Sequence, residues 1–242
     1  MNAATVVNES LAIGLRKRLL RETGEDFQAA LECLFRRVVR NGCQRAGSTH
    51  RRVVAFAKRR FAGRIVRELS AGAGRREVWS CELLLPEQPT DPNHGALSLV
   101  RVDIKRRDPT MPAFTDVGVR VSQHAVERVL QRRGDGAWDI DALTTELRLA
   151  LAICARWQCE HLVDRGVHHW QLPTRSGLAF CAGDRDDGLS VTTWVREHQL
   201  RDEQLTARSE LLHRASRFDF RGPASVRLVC GPRTPAALSA PH

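Results

Sequence analysis

The sequence predicts an α+β fold, an N-terminal basic helical module followed by helices packed on an antiparallel sheet. Apolar residues recur at helical spacing through the first third, whereas later segments alternate apolar and polar residues between clusters of turn formers. The charge divides the same way. Residues 1–76 carry 17 Lys and Arg against 6 Asp and Glu, while residues 77–242 carry 21 against 22. The division predicts a basic helical module at 1–76 and an α+β domain at 77–242.

Three helices fit the first third. Ser10 is placed to cap a run with Leu11, Leu15 and Leu19 inside, ending near Gly24. Phe27, Leu31, Leu34, Phe35 and Val38 form the next, stopped by Asn41-Gly42. A third helix is expected from Ser48, with Val54, Ala57, Phe61, Ile65 and Leu69 on one face and Arg51, Arg52, Lys58, Arg59, Arg60, Arg64 and Arg67 on the others. Gly72 and Gly74 close the module. Strands are then expected at Glu77–Leu85 and Leu97–Arg106, joined as a hairpin by a long loop rich in Pro, Asp and Asn, and at Val117–Val121. Ser122 and Asp139 are set to cap helices reaching about Arg133 and Trp157. Extended segments Val167–Leu172, Gly177–Ala182 and Leu189–Arg196 follow, with turns at Thr174–Ser176 and Asp184–Gly188. A last helix spans about Asp202–Arg214, and the proline-rich end from Gly231 is expected to fray.

Composition narrows the function classes. The longest apolar run, Leu149–Ala155, is bounded by Arg148 and Arg156 and is far too short to span a bilayer. The start, MNAATVVNES, lacks the basic and apolar regions of a secretory signal. Seven cysteines at irregular spacing fit a reducing compartment better than a disulfide framework. A cytoplasmic location without membrane association is therefore expected. Cys154, Cys159 and His161 form the one compact thiol and imidazole group, but the spacing is loose for structural zinc and Cys154 falls on a buried helix face. Asp184, Asp186 and Asp187 read as a polar turn rather than a calcium loop. No phosphate-binding glycine loop or nucleophile elbow appears, so neither metal nor cofactor is implied.

The stretch with the most chemistry runs from Val121 to Arg133. His124, Arg128 and Arg132 recur every four residues and share one helical face beside a capped N-terminus. An imidazole that exchanges a proton near neutral pH, beside guanidiniums that grip phosphate, forms a workable phosphodiester-cleaving set. The same pattern also describes an ordinary amphipathic helix with a solvated face.

From about 117 to 197 the order of segments resembles toxin-type ribonuclease domains of the barnase/EndoU/colicin/RelE group. The likeness rests on a Ser-x-His-Ala-x-x-Arg helix start at Ser122, a second helix, an antiparallel sheet, and a final strand carrying Thr192-Thr193-Trp194. The chain departs from that group in having no tyrosine, and Lys105, the nearest lysine, lies outside the matched stretch. The resemblance implies a metal-independent endoribonuclease, a toxin or effector, with His124 as acid or base, Arg128 as phosphate clamp and Thr192 as the last-strand hydroxyl. Strict alternation puts Thr193 with Val191 and Val195 toward the core and Thr192 with Ser190, Trp194 and Arg196 on the other face. His169 is the preferred second proton carrier, because His168 shares its face with Trp170 and Leu172.

Two further readings stay open. One is a non-enzymatic nucleic-acid-binding or regulatory protein that uses Arg51, Arg52, Arg59, Arg60, Arg64 and Arg67, with Arg132 as an added contact. The other is a protein whose basic face meets an acidic protein partner, such as an inhibitor or adaptor.

Overall fold

A computed structural model describes residues 8–40, 46–87, 97–132, 139–164 and 168–216. The Asn41-Gly42 stop, most of the loop between the first two expected strands and the end from Gly231 lie outside the described residues. The elements in chain order are α1 (Glu9–Arg40), α2 (Ala46–Arg60), β1 (Ile65–Ala71), β2 (Val78–Pro86), β3 (Leu97–Lys105), β4 (Ala113–Val121), α3 (Gln123–Arg132), α4 (Ile140–Cys159), β5 (His168–Pro173), β6 (Gly177–Asp184), β7 (Gly188–Arg196) and α5 (Asp202–Ser216). They form an α+β protein, with N-terminal helix followed by a curled, mostly antiparallel sheet of seven strands, against which further helices pack.

The strand order is β1-β2-β3-β4-β7-β6-β5. Two antiparallel meanders, β1–β4 and β5–β7, join through the one parallel pair, β4 with β7. Glycine makes that junction possible. Gly118 and Gly188 hold φ of 72° and 83°, and a Cβ on Gly188 would stand 2.5 Å from the Gly118 carbonyl oxygen. The three expected hairpins, β2 with β3, β5 with β6 and β6 with β7, all form, and β2 runs beside β3 in uninterrupted register from Val78↔Lys105 to Pro86↔Leu97.

The first third departs from expectation in three places. Gly24 does not end a helix, and α1 continues through it to Arg40. Gly24 is buried, and tertiary packing offsets the roughly 1 kcal/mol that glycine costs inside a helix. The cap of α1 is Asn8, not Ser10: its side chain accepts the Leu11 amide at 2.8 Å. The helix expected from Ser48 to Leu69 stops at Arg60, and Ile65–Ala71 forms edge strand β1. Helical spacing is real as far as Phe61. Beyond it, Gly63 and the β-branched pair Ile65-Val66 favour extension, and β1 gains a ladder from Ala71↔Val78 to Ile65↔Leu83. The boundary drawn at Arg76 falls in the turn joining β1 to β2.

Neighbouring residues on β2 and β3 point to opposite faces and feed two apolar cores. Leu84, Leu97 and Leu99 join the core beneath α3 and α4, which also holds Val119, Val121, Trp157, Trp170 and Trp194. Trp79, Cys81, Leu83, Leu85, Val102 and Ile104 join the core formed with Ala30 and Leu34 of α1 and Val53 and Ala57 of α2. Helix α1 serves both, since Leu19 and Leu20 belong to the first core. Strands β2 and β3 therefore bury residues on both faces. In the β5–β7 half, Trp170, Cys181 and Trp194 face the core, while exposed His169 and half-buried Gln171, Phe180 and Ser190 belong to neither core.

Candidate functional site

Helix α3 starts as its sequence requires. Ser122 accepts the Ala125 amide at 3.1 Å, and its own hydroxyl donates to the Thr192 carbonyl at 2.9 Å. The cap therefore also ties α3 to β7. Ala125, Val126, Val129 and Leu130 are buried, which turns the opposite face outward. His124 is exposed there, and Arg128 Nε donates to its Nε2 at 3.3 Å. That bond needs a neutral ring with its proton on Nδ1. Arg128 also reaches Gln131 Oε1 at 3.0 Å. Arg132 is bound to the protein itself, donating to the Trp194 carbonyl at 2.8 Å. Burial first, and the neighbouring Arg128 charge second, hold the Arg132 guanidinium below its ordinary pKa.

Thr192 occupies a β-bulge. Phe180 pairs with Thr193 and Cys181 with Val191, so Thr192 has no opposite residue, and its hydroxyl donates to the Phe180 carbonyl at 3.0 Å. The bulge corrects the expected facing of β7. Val191 and Trp194 both point into the core, Thr193 is only half-buried, and Thr192 is exposed. Strict alternation fails because one extra residue reverses the parity beyond it. His169 is exposed on β5, opposite Ala182 of β6, whose other partner is Ser190 of β7. His124 and Arg128 thus form a bonded pair beside the Thr192 bulge, while His169 lies two strands from β7. His168 packs its ring 5.9 Å from that of Trp170, on the core side expected for it.

The arginines separate into two groups. Arg60 and Arg64 both bind Asp26, and Arg64 also reaches Asp141 at 3.2 Å. Arg67 forms a two-pronged bond with Glu82 at 2.6 and 2.8 Å, and Arg101 joins the same carboxylate at 2.9 Å. Glu82 is 0% exposed. Burial opposes the Arg67 charge, but the Glu82 bond and field outweigh it, so the pKa of Arg67 stands above its usual value. The hydrogen bond to Glu82 likewise raises Arg101. Arg51, Arg52 and Arg59 are exposed on α2, with Arg59 donating to the Ala55 carbonyl one turn back.

Other basic residues gather around the start of α2. Arg75 and Arg76 are exposed in the β1–β2 turn, and Lys105 and Arg107 are exposed where β3 ends. The register Val78↔Lys105 places these two turns side by side. Arg106 fastens them, its guanidinium donating to the Gly74 carbonyl at 3.2 Å and to Glu77 at 3.0 Å. The same guanidinium lies 3.0 Å from where a Cβ on Gly47 would stand, which brings in the first turn of α2. That turn contains no acidic residue, and its helix dipole adds positive potential. Arg75, Arg76 and Arg107 are not among the residues expected from sequence to bind. Two short basic runs, one before β2 and one after β3, were the available signal, because a β2–β3 hairpin must bring them together.

Two buried carboxylates also escaped notice. Glu82 is one. Glu146 of α4 is the other, accepting the hydroxyls of Thr174 and Ser176, each at 2.8 Å, and the Ser176 amide at 2.9 Å. It holds the β5–β6 turn, as does Arg208 of α5, which donates to the carbonyls of Thr174, Arg175 and Gly177. Cys154 is buried against Cys181, whose thiol is raised by that contact and by burial. Cys159 is exposed, with Arg101 Nη2 at 2.9 Å from its sulfur. Among the described residues no group of three or more His, Cys, Asp or Glu is placed to hold a metal ion. None of the described helices is long and apolar enough to cross a membrane. No family model, curated protein or solved structure matches this chain.

Proposed function

We propose that this protein binds nucleic acid through the basic end built from the start of α2, the β1–β2 turn and the β3–β4 turn. The supporting observation is that Arg51, Arg75, Arg76, Lys105 and Arg107 are exposed around Arg106 and outnumber the acids nearby, Glu77 and Asp108. Glu77 is paired with Arg106, and Asp108 accepts the Thr110 hydroxyl and keeps its charge. A polyanion would release condensed counterions on meeting such a surface, which makes phosphate contacts favourable at modest salt. Of the residues expected to bind from sequence, the exposed Arg51, Arg52 and Arg59 on α2 stay candidates in this reading. Arg60, Arg64, Arg67 and Arg132 serve the fold instead.

Fluorescence anisotropy with labelled RNA and DNA over a salt series tests the reading. Binding should weaken steeply with salt, and Arg75→Glu with Arg107→Glu should flatten the slope by about one contact per residue. Salt-independent affinity, or an unchanged slope in the double variant, would falsify it.

A second reading, the metal-independent ribonuclease, is favoured by the His124–Arg128 pair beside the Ser122–Thr192 tie. There Arg128 would leave His124 Nε2 to steady the phosphate, and the freed Nε2 of neutral His124 would accept the RNA 2′-hydroxyl proton. Its proton donor would be His169 only if substrate reached across β7 and β6. RNA cleavage in EDTA that His124→Ala abolishes would support this reading, and equal cleavage by both proteins would remove it.

A further inference from the structure

We infer that the ligand of the basic end is single-stranded nucleic acid, with a base stacked on Phe114 and the adjoining phosphates held by Arg107 and its basic neighbours. The inference rests on the nucleic-acid reading above and narrows it to one class of ligand.

Among the described residues most large apolar side chains are buried; Leu11 and Ile13 on α1 are exposed, and so are two beside the basic end. Met111 is 66% exposed in the β3–β4 turn and Phe114 is 45% exposed at the start of β4. The turn reads Arg106-Arg107-Asp-Pro-Thr-Met-Pro112, so it is basic where it leaves β3 and apolar where it enters β4. Phe114 lies opposite Val102, about 10 Å along β3 from the strand end at Lys105; alternation turns Lys105 to the other face, so Arg107 in the turn is the cation for the adjoining phosphate.

Phe114 is braced rather than loose. Phe27 of α1 meets it edge-on, with ring centroids 6.1 Å apart and planes at 84°. Phe27 in turn leans on buried Phe61 at 5.7 Å. A row of three rings therefore runs from the core to the surface and fixes the outermost one. A held aromatic surface beside arginines matches the need of an unpaired strand, which offers free base faces as well as phosphates. A duplex keeps its bases stacked on each other and would use only the charges. Asp116, exposed two residues further on, accepts the Gly118 amide at 2.8 Å and lies 3.9 Å from Arg120, whose closer partner is Glu87 at 2.8 Å. Asp108 accepts the Thr110 hydroxyl.

The test measures affinity of the full chain for labelled oligothymidylate and for a blunt duplex of equal length, at one fixed salt concentration. Phe114→Ala, Phe114→Trp and Arg107→Glu are compared after circular dichroism shows each to be folded. The single strand should bind at least tenfold more tightly than the duplex. Phe114→Ala should lose roughly tenfold on the single strand and nothing on the duplex. Phe114→Trp should restore the affinity, with its fluorescence quenched by the bound strand. Arg107→Glu should weaken both ligands. Equal binding of both ligands, with Phe114→Ala indistinguishable from the parent, overturns the single-strand inference and leaves the nucleic-acid reading standing. Failure of the parent chain to bind either ligand overturns both.

Discussion

The seam where α2, β1 and α4 meet and the turn end of the same sheet are both rich in arginine, yet they present opposite surfaces. At the seam four arginines face acids: Arg60 and Arg64 share Asp26, Arg64 continues to Asp141, and Arg67 shares buried Glu82 with Arg101. At the turn end, one acid, Glu77, serves Arg106, while Arg75, Arg76, Lys105 and Arg107 project outward. The contrast shows that basic charge counted along a chain does not measure what a partner can reach. Several acids that neutralise the basic first third come from later in the chain. Glu127 pairs with Arg16, Asp141 with Arg64, and Glu82 with Arg67.

The sharpest way to break this comparison is at Glu82. Glu82→Ala leaves Arg67 and Arg101 facing each other under α4 without a counterion, and should lower unfolding free energy by about 3–5 kcal/mol in urea titrations. A loss below about 1 kcal/mol would show that water reaches the pair. Next comes the turn end, where Arg75→Glu with Arg107→Glu should weaken nucleic-acid binding tenfold or more yet move stability by no more than about 0.5 kcal/mol. Arg64→Gln should do the reverse, costing about 2 kcal/mol of stability through its lost bonds to Asp26 and Asp141, with affinity within twofold of the parent. Equal affinity losses in the two variants would erase the distinction between locked and available arginines.

Thiol chemistry gives a smaller contrast. Burial pushes the Cys81 thiol up to about 12, and Cys154 and Cys181 are sealed against each other. Iodoacetamide on the native protein at neutral pH should label exposed Cys159 and spare these three, as read by peptide mass spectrometry. Labelling of Cys81 at a comparable rate would mean that the sheet opens locally. The smallest effect is expected at Glu68, held below the ordinary carboxylate range by its bond to Lys58 and then by that to Trp79. Because its folded value is depressed, its contribution is present above the unfolded value and lost as pH falls through the folded one. The group is exposed, so Glu68→Gln should cost less than about 0.5 kcal/mol at neutral pH, and nothing once the solution is acid enough to protonate the folded carboxylate.

Much of the fold was legible because its signals are local. The Ser122 and Asp139 caps, the apolar stripe of α3 and the turns at Thr174–Ser176 and Asp184–Gly188 each depend on a few adjacent residues, and each appears where expected. The reading failed where distant contacts outweigh local preference. Gly24 remains helical because it is packed, Ile65–Ala71 becomes a strand because β2 is there to pair with it, and the Thr192 bulge reverses the facing of Trp194. The candidate site divides likewise. The approach of His124 to Arg128 follows from four-residue helical spacing, whereas the separation of His169 from them depends on strand order.

By itself the sequence determined the α+β class, most element positions and the concentration of positive charge in the first third. Tertiary structure alone decided which of those charges face outward, because pairing depends on acids such as Glu82, Glu127 and Asp141 that are remote in the chain and close in space. It also decided that Arg75, Arg76, Lys105 and Arg107 share one end, since a hairpin register brings the start of one strand to the end of the next.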